Sequence, residues 1–143
     1  MKLVIDTNIV LDLWVFEDTA SAPLRDLLAD PGVVWLATHA MREELERVLA
    51  YPQIVKRLTA RALPAEVVLA LFDARSQTVP AAAKAPYTCK DADDQRFIDL
   101  AVAHGATLLS KDAEVLCMAR RLSKLGVMVT RAFPGNMRAV ASY

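Results

Sequence analysis

The segment KLVIDTNIVLD, at residues 2–12, carries the strongest signal for the fold. A short apolar run ends abruptly at Asp6, and apolar residues resume only after Asn8. Short runs of Val, Leu and Ile without polar alternation are typical of strands buried on both faces of a parallel sheet. Because a charge at the edge of a core is costly unless it is paired, a strand that ends in a carboxylate suggests a partner for that charge.

The rest of the chain repeats this strand pattern and alternates it with helical patterns. Further strand-like runs lie at 33–37, 106–109 and 127–130, with a weaker candidate at 77–79. Helical patterns lie at 8–16, 20–29, 40–50, 64–76, 94–104 and 113–125. Alternating strands and helices form right-handed crossovers, so the sequence predicts a three-layer α/β/α fold with a central, mostly parallel sheet.

Length and composition indicate one globular domain over residues 1–143. The chain is 55% hydrophobic and 24% charged, and 17 basic residues balance 17 acidic ones. A neutral total neither indicates nor excludes a nucleic-acid partner, because a clustered acidic site can hide a basic rim in the sum.

The cysteines and the apolar runs restrict the class of protein further. Cys89 and Cys117 are far apart in sequence and lack the spacing of a zinc site, which predicts two free thiols in a reduced compartment. No uncharged apolar run approaches the roughly 20 residues that span a bilayer. We therefore expect a cytoplasmic protein without a membrane segment.

Two acidic residues follow predicted strands. Asp6 ends the first strand, and Asp112 lies just beyond the strand at 106–109. In parallel sheets of this type, ligands bind at the carboxyl ends of the strands, where strand order reverses. The alternative is that each aspartate caps the helix that follows it.

Helical periodicity selects two more acids from several candidates. In the helix at 40–50, Glu44 flanks the apolar face, whereas Glu43 points nearly opposite and Glu46 lies well away. In the helix at 94–104, Asp94 heads the apolar stripe, although it could instead be the helix cap.

The four acids Asp6, Glu44, Asp94 and Asp112 come from four separate segments that can converge above one sheet edge. Ionised carboxylates within a few Å repel one another and raise their pKa values, so such a group needs a positive partner. Mg²⁺ or Mn²⁺ suits ligands that are all oxygen. These acids are therefore predicted metal ligands and catalytic residues.

The chain resembles PIN-domain ribonucleases, which include the toxin components of toxin–antitoxin systems. The resemblance runs from VIDTNIVLD through REELERVL to DADDQRFIDLAVAHGATLLSKD. It matches the four family acids to the residues already chosen, and it gives Asn8 and Ser110 as polar helpers that orient acids or water. It also leaves open whether Asp91 or Asp93 joins the site or only caps the surface helix.

The resemblance implies hydrolysis of RNA by a water activated on Mg²⁺ or Mn²⁺. It further implies inhibition by a small antitoxin protein and, as in many family members, a homodimer. Two other functions stay open. The first is phosphoryl transfer at Asp6, as in haloacid-dehalogenase-like phosphatases, although these usually have a second Asp where this chain has Asn8. The second is a non-catalytic module that binds RNA or protein.

Overall fold

A computed structural model of the chain describes residues 1–131 and contains one five-stranded sheet. The strands are β1 (Lys2–Ile5), β2 (Val34–Ala37), β3 (Ser76–Thr78), β4 (Thr107–Leu109) and β5 (Val129–Thr130). Their order is β3-β2-β1-β4-β5, and every neighbouring pair is parallel. The predicted strands are confirmed to within two residues at each end, and the sheet is entirely parallel.

The centre of the sheet is apolar on both faces, as the unalternating runs predict. Val4 of β1 lies in register with Leu108 of β4, and neither residue is accessible to solvent. On β2, Trp35 packs edge-on against Phe72, with ring centroids 4.9 Å apart. Burial of such aromatic pairs adds geometric preference to the hydrophobic gain, so this end of the sheet is fixed firmly against the helices.

Helices flank the sheet and complete the three layers. They are α1 (Thr7–Trp14), α2 (Ala22–Leu28), α3 (His39–Leu49), α4 (Pro52–Ala60), α5 (Ala65–Arg75), α6 (Gln95–His104), α7 (Ala113–Leu116) and α8 (Ala119–Ser123). Short 3₁₀ turns at Thr19–Ser21 and Ala92–Asp94 precede α2 and α6. Within residues 1–131, none of these helices has the length and apolar character needed to cross a membrane.

Two helical features differ from the sequence-based expectation. Helix α4 was not predicted, although Pro52 opens it and Ile54 and Leu58 bury one face. The helix predicted at 113–125 is instead two short helices, because the Met118 N–H bonds to the Val115 carbonyl and tightens the turn between them. The predicted domain extends over residues 132–143, which lie outside the described residues.

The order of the strands determines where a ligand site can form. From β1 the chain builds outward through β2 and β3, then returns to place β4 on the other side of β1. The carboxyl ends of β1 and β4 therefore flank the point where strand order reverses, which is the usual binding position in open α/β sheets. Asp6 follows β1, and the turn carrying Ser110 and Asp112 follows β4.

Candidate metal centre

Three carboxyl groups meet beside the ends of β1 and β4. Asp91, Asp94 and Asp112 each offer a carboxylate oxygen, and these oxygens all lie within 4.8 Å of one another. Asp91 caps the 3₁₀ turn before α6 and Asp94 is its last residue, whereas Asp112 caps α7. We call Asp91, Asp94 and Asp112 the acid cluster. Its members come from two segments, the turn before α6 and the start of α7, which the fold brings together.

Asp94 is the most perturbed member of the acid cluster. It is 7% exposed, and its Oδ2 has no hydrogen-bond partner among residues 1–131. Burial, hydrogen bonding with the Asp112 carboxyl and the charges of Asp6, Asp112 and Asp91 raise the pKa of Asp94 from 3.8 to about 8. Two ionised carboxylates are both acceptors, so they bond only while a proton remains between them. The Asp94–Asp112 pair therefore needs either a shared proton or a bound cation.

Asp6 lies beside the acid cluster and is held by Ser110. The hydroxyl of Ser110, which is fully buried, donates to Asp6 Oδ2 at 2.7 Å. Burial raises the pKa of Asp6, the Ser110 hydrogen bond lowers it, and the charges of Glu44 and Asp112 raise it again, so the net direction is upward. Asp6 therefore interacts electrostatically with Glu44, Asp94 and Asp112.

Glu44 is fixed by a residue that sequence reasoning missed. The Thr7 hydroxyl donates to Glu44 Oε2, which ties the first turn of α1 to the middle of α3. Glu44 is half-buried, whereas Glu43 is exposed and pairs with His39 at 2.9 Å. The helical-wheel choice of Glu44 as the inward glutamate is confirmed. Thr7 directly follows Asp6, but no local sequence pattern indicates its bond to a residue of α3.

The capping alternative is correct for some of the acids and wrong for others. Asp112 accepts from the Glu114 N–H at 2.8 Å, and Asp91 accepts from the Asp93 N–H at 3.0 Å, so both are caps. Asp6 and Asp94 occupy N-cap positions, but neither side chain makes a capping hydrogen bond. Capping therefore does not explain the burial of these two carboxylates.

Two further polar residues near the site, Asn8 and Asp91, differ in their exposure. Asn8 is exposed in the first turn of α1, and its side chain makes no hydrogen bond within residues 1–131. Asp91 was expected either to join the site or to cap the surface helix. It is half-buried and belongs to the acid cluster, and its side chain also caps the turn. Asp93 is exposed. The run DADD indicated both Asp91 and Asp93 as candidates, and only the geometry of the turn separates them.

An ion pair between the partly exposed Lys111 and the buried Asp12 supports the turn that carries the acids. Lys111, between Ser110 and Asp112, places its Nζ 2.6 Å from Asp12 Oδ2, and the Asp12 side chain is 9% exposed. The pair borders a cavity of about 160 Å³. The cavity is lined by Ile9, Asp12, Asp18, Ala20, Ser21, Leu24, Lys111 and Arg131.

We expect Lys111→Met to lower the free energy of unfolding by about 1–3 kcal/mol, because it leaves the buried Asp12 charge without its cation. Asp12→Asn should cost less, since the partly exposed Lys111 can be hydrated again. The double variant should recover part of the loss. Urea unfolding of the four proteins measures this cycle, and strictly additive losses would contradict a direct interaction.

The donor set fits a divalent cation of the Mg²⁺ or Mn²⁺ type. All the candidate ligands are carboxylate oxygens, which hard cations prefer, and no His or Cys is part of the acid cluster within the described residues. Asp94 has an unpartnered Oδ2, and the pKa values of Asp6 and Asp94 are raised, as is expected for carboxylates that are gathered to bind a cation. The arrangement can hold an ion at the edge of the sheet.

Comparison with known proteins agrees with this architecture. The chain superimposes on a chain from the crystal structure of VapBC2 from Rickettsia felis bound to a DNA fragment from their promoter, with a TM-score of 0.60 and 14% sequence identity. The match covers 90% of this chain and 97% of that one. No curated protein matches the sequence. The sequence profile of the PIN domain matches residues 2–114, which include β1 to β4 and every acid described above, so the chain belongs to the PIN domain family.

Proposed function

We propose that the chain is a divalent-metal-dependent endoribonuclease, acting in the cytoplasm as the toxin of a toxin–antitoxin pair. Its catalytic centre would consist of the acid cluster with Asp6 and Glu44. The main support for the proposal is the environment of Asp94. Its carboxyl group is buried and has an unpartnered oxygen, and burial and neighbouring acids raise its pKa to about 8. Carboxylates with strongly perturbed pKa values cluster at functional sites.

In this proposal Asp6, Glu44, Asp94 and Asp112 would hold the ion, with Asp91 as an additional ligand. Mg²⁺ or Mn²⁺ supplies charge neutralisation at a phosphodiester and lowers the pKa of a bound water. Ser110 keeps the Asp6 carboxylate oriented through its 2.7 Å hydrogen bond. Thr7 keeps Glu44 oriented in the same way.

Asn8 would contact the RNA substrate or a water molecule at the site. It is exposed at the N-terminal turn of α1, where backbone N–H groups and the helix dipole favour negative groups. An exposed amide there can donate to a phosphate oxygen or orient a water. Its role is therefore proposed as positioning of RNA, not as a metal ligand.

The proposed macromolecular partners are RNA as substrate, a small antitoxin protein and a second copy of the chain. Support for the antitoxin is the likeness of fold to the Rickettsia felis VapBC2 chain. Support for RNA is the PIN family match combined with an acidic site that needs a cation before it can approach a phosphate.

The test is cleavage of 5′-labelled single-stranded RNA by the purified chain, with Mn²⁺, with Mg²⁺ and with excess EDTA. We expect cleavage with at least one metal and a loss of at least about 100-fold in EDTA, because the ion supplies several kcal/mol of stabilisation in the transition state. Activity that persists in EDTA would overturn the metal mechanism. Binding of RNA without cleavage under all conditions would favour a non-catalytic module, and a phosphorylated Asp6 would favour phosphoryl transfer.

A further inference from the structure

The two cysteines are brought to a single backbone oxygen by the fold. Cys89 Sγ lies 3.6 Å and Cys117 Sγ lies 3.2 Å from the carbonyl oxygen of Glu114. The two sulfurs can therefore be no farther apart than the sum of these distances. Sequence separation alone suggested independent thiols, but in the structure they are neighbours.

The segments that carry the two thiols can adjust to each other. Cys89 lies in the stretch from 79 to 91, which forms no helix or strand, and its N–H bonds to Gln95 Oε1 at 2.6 Å. Cys117 follows the four-residue helix α7 as its C-cap. A disulfide needs its sulfurs about 2.05 Å apart, so rotation of the two side chains and a shift of these segments must supply the remaining approach.

We propose that Cys89 and Cys117 form a reversible dithiol–disulfide pair that joins the segment carrying Asp91 and Asp94 to the segment carrying Asp112. The oxidant is a small disulfide of the glutathione class. The disulfide would cross beside the acid cluster, since Cys89 is two residues before Asp91 and Cys117 is five residues after Asp112.

Exposure of the two thiols sets the order of the exchange. Cys117 is exposed, so its thiolate attacks one sulfur of oxidised glutathione and expels one glutathione thiolate. Cys89 is only 4% exposed, so it reacts from inside the protein with the Cys117 sulfur of the mixed disulfide and expels the second glutathione. The protein loses two hydrogen atoms, and one oxidised glutathione becomes two reduced molecules.

A disulfide here would restrain the two segments that form the acid cluster. Its effect on the metal rests on the proposed function: oxidation would fix the separation of Asp94 and Asp112 and so change Mn²⁺ affinity. Formation of the disulfide does not depend on any metal or on RNA. The two parts of the proposal therefore fail separately.

The test is incubation of the full chain in EDTA with oxidised glutathione, followed by intact mass measurement and non-reducing peptide mapping. We expect a monomeric product lighter by two hydrogen atoms, with a Cys89–Cys117 peptide, and no such product from Cys89→Ser or Cys117→Ser. Cys117→Ser should react with oxidised glutathione at least about tenfold more slowly than wild type, because Cys89 is then the sole thiol and is buried.

Accumulation of a stable mixed disulfide at Cys117, without the intrachain bond, would overturn the proposal. So would an intrachain disulfide that forms only in urea. A second measurement compares Mn²⁺ affinity of the oxidised and reduced chains, using Cys89→Ser treated with the same oxidant as the control. Equal affinities would contradict the proposed effect of the disulfide on the acid cluster, but not the formation of the disulfide.

Discussion

Asp94→Asn should lower the rate of RNA cleavage by at least about 100-fold while leaving the chain folded, an effect of the size expected when an ion-holding charge is lost. The amide keeps the volume of the side chain but removes its charge at the most buried position of the acid cluster. The measurement is single-turnover cleavage of labelled RNA at saturating Mn²⁺, with circular dichroism to confirm the fold.

Asp93→Asn is the matched control for this experiment. Asp93 is the neighbouring residue in the same 3₁₀ turn, but its side chain is exposed and lies outside the acid cluster. We expect its activity to stay within about twofold of wild type, as is usual for surface changes. Equal losses in the two variants would show that the turn as a whole matters, and equal retention would remove Asp94 from the mechanism.

Mn²⁺ should stabilise the wild-type chain strongly and the Asp94→Asn variant hardly at all. At a concentration about 100-fold above its dissociation constant, an ion that binds only the folded state contributes about 2.7 kcal/mol, which corresponds to about 5–10 °C in Tm. The variant should shift by no more than about 1 °C under the same conditions. Thermal unfolding with and without Mn²⁺ measures both, and Mg²⁺ gives an independent comparison.

The same melts should show a characteristic pH dependence in EDTA. The pKa of Asp94 rises from 3.8 to about 8 on folding, so between these values the folded chain binds more protons than the unfolded one. The free energy of unfolding then decreases as pH increases through this window. Asp94→Asn should flatten the decrease and should melt no lower than wild type in EDTA at pH 8. A wild-type Tm that increases with pH in EDTA would contradict this reading of Asp94.

Much of the fold could be predicted because the strands are buried on both faces. The runs at β1 and β4 are apolar without alternation, and this pattern is typical of the centre of a parallel sheet. Helix α4 was missed because its apolar residues are few and it follows α3 after only two residues. The break between α7 and α8 is a local tightening of backbone hydrogen bonds, which side-chain periodicity does not record.

The candidate site was predictable where one helix or one strand sets the direction of a side chain. Periodicity separated Glu44 from Glu43, since both lie on α3 and differ by about 100°. The bond from Thr7 to Glu44 joins two helices, so no local pattern could reveal it. Asp91 enters the acid cluster because a 3₁₀ turn, and not an α-helix, joins it to Asp94.

The bond from Ser110 to Asp6 spans 104 positions of the chain, and this sets the stage of protein synthesis at which the centre can exist. While a ribosome is still making the first hundred or so residues, β1 lacks β4 and Asp6 lacks the hydroxyl that orients it. Contacts between such distant residues also form late in folding, because closing a long loop costs entropy before it yields any interaction. A nascent chain therefore carries the first acid long before it can assemble the rest.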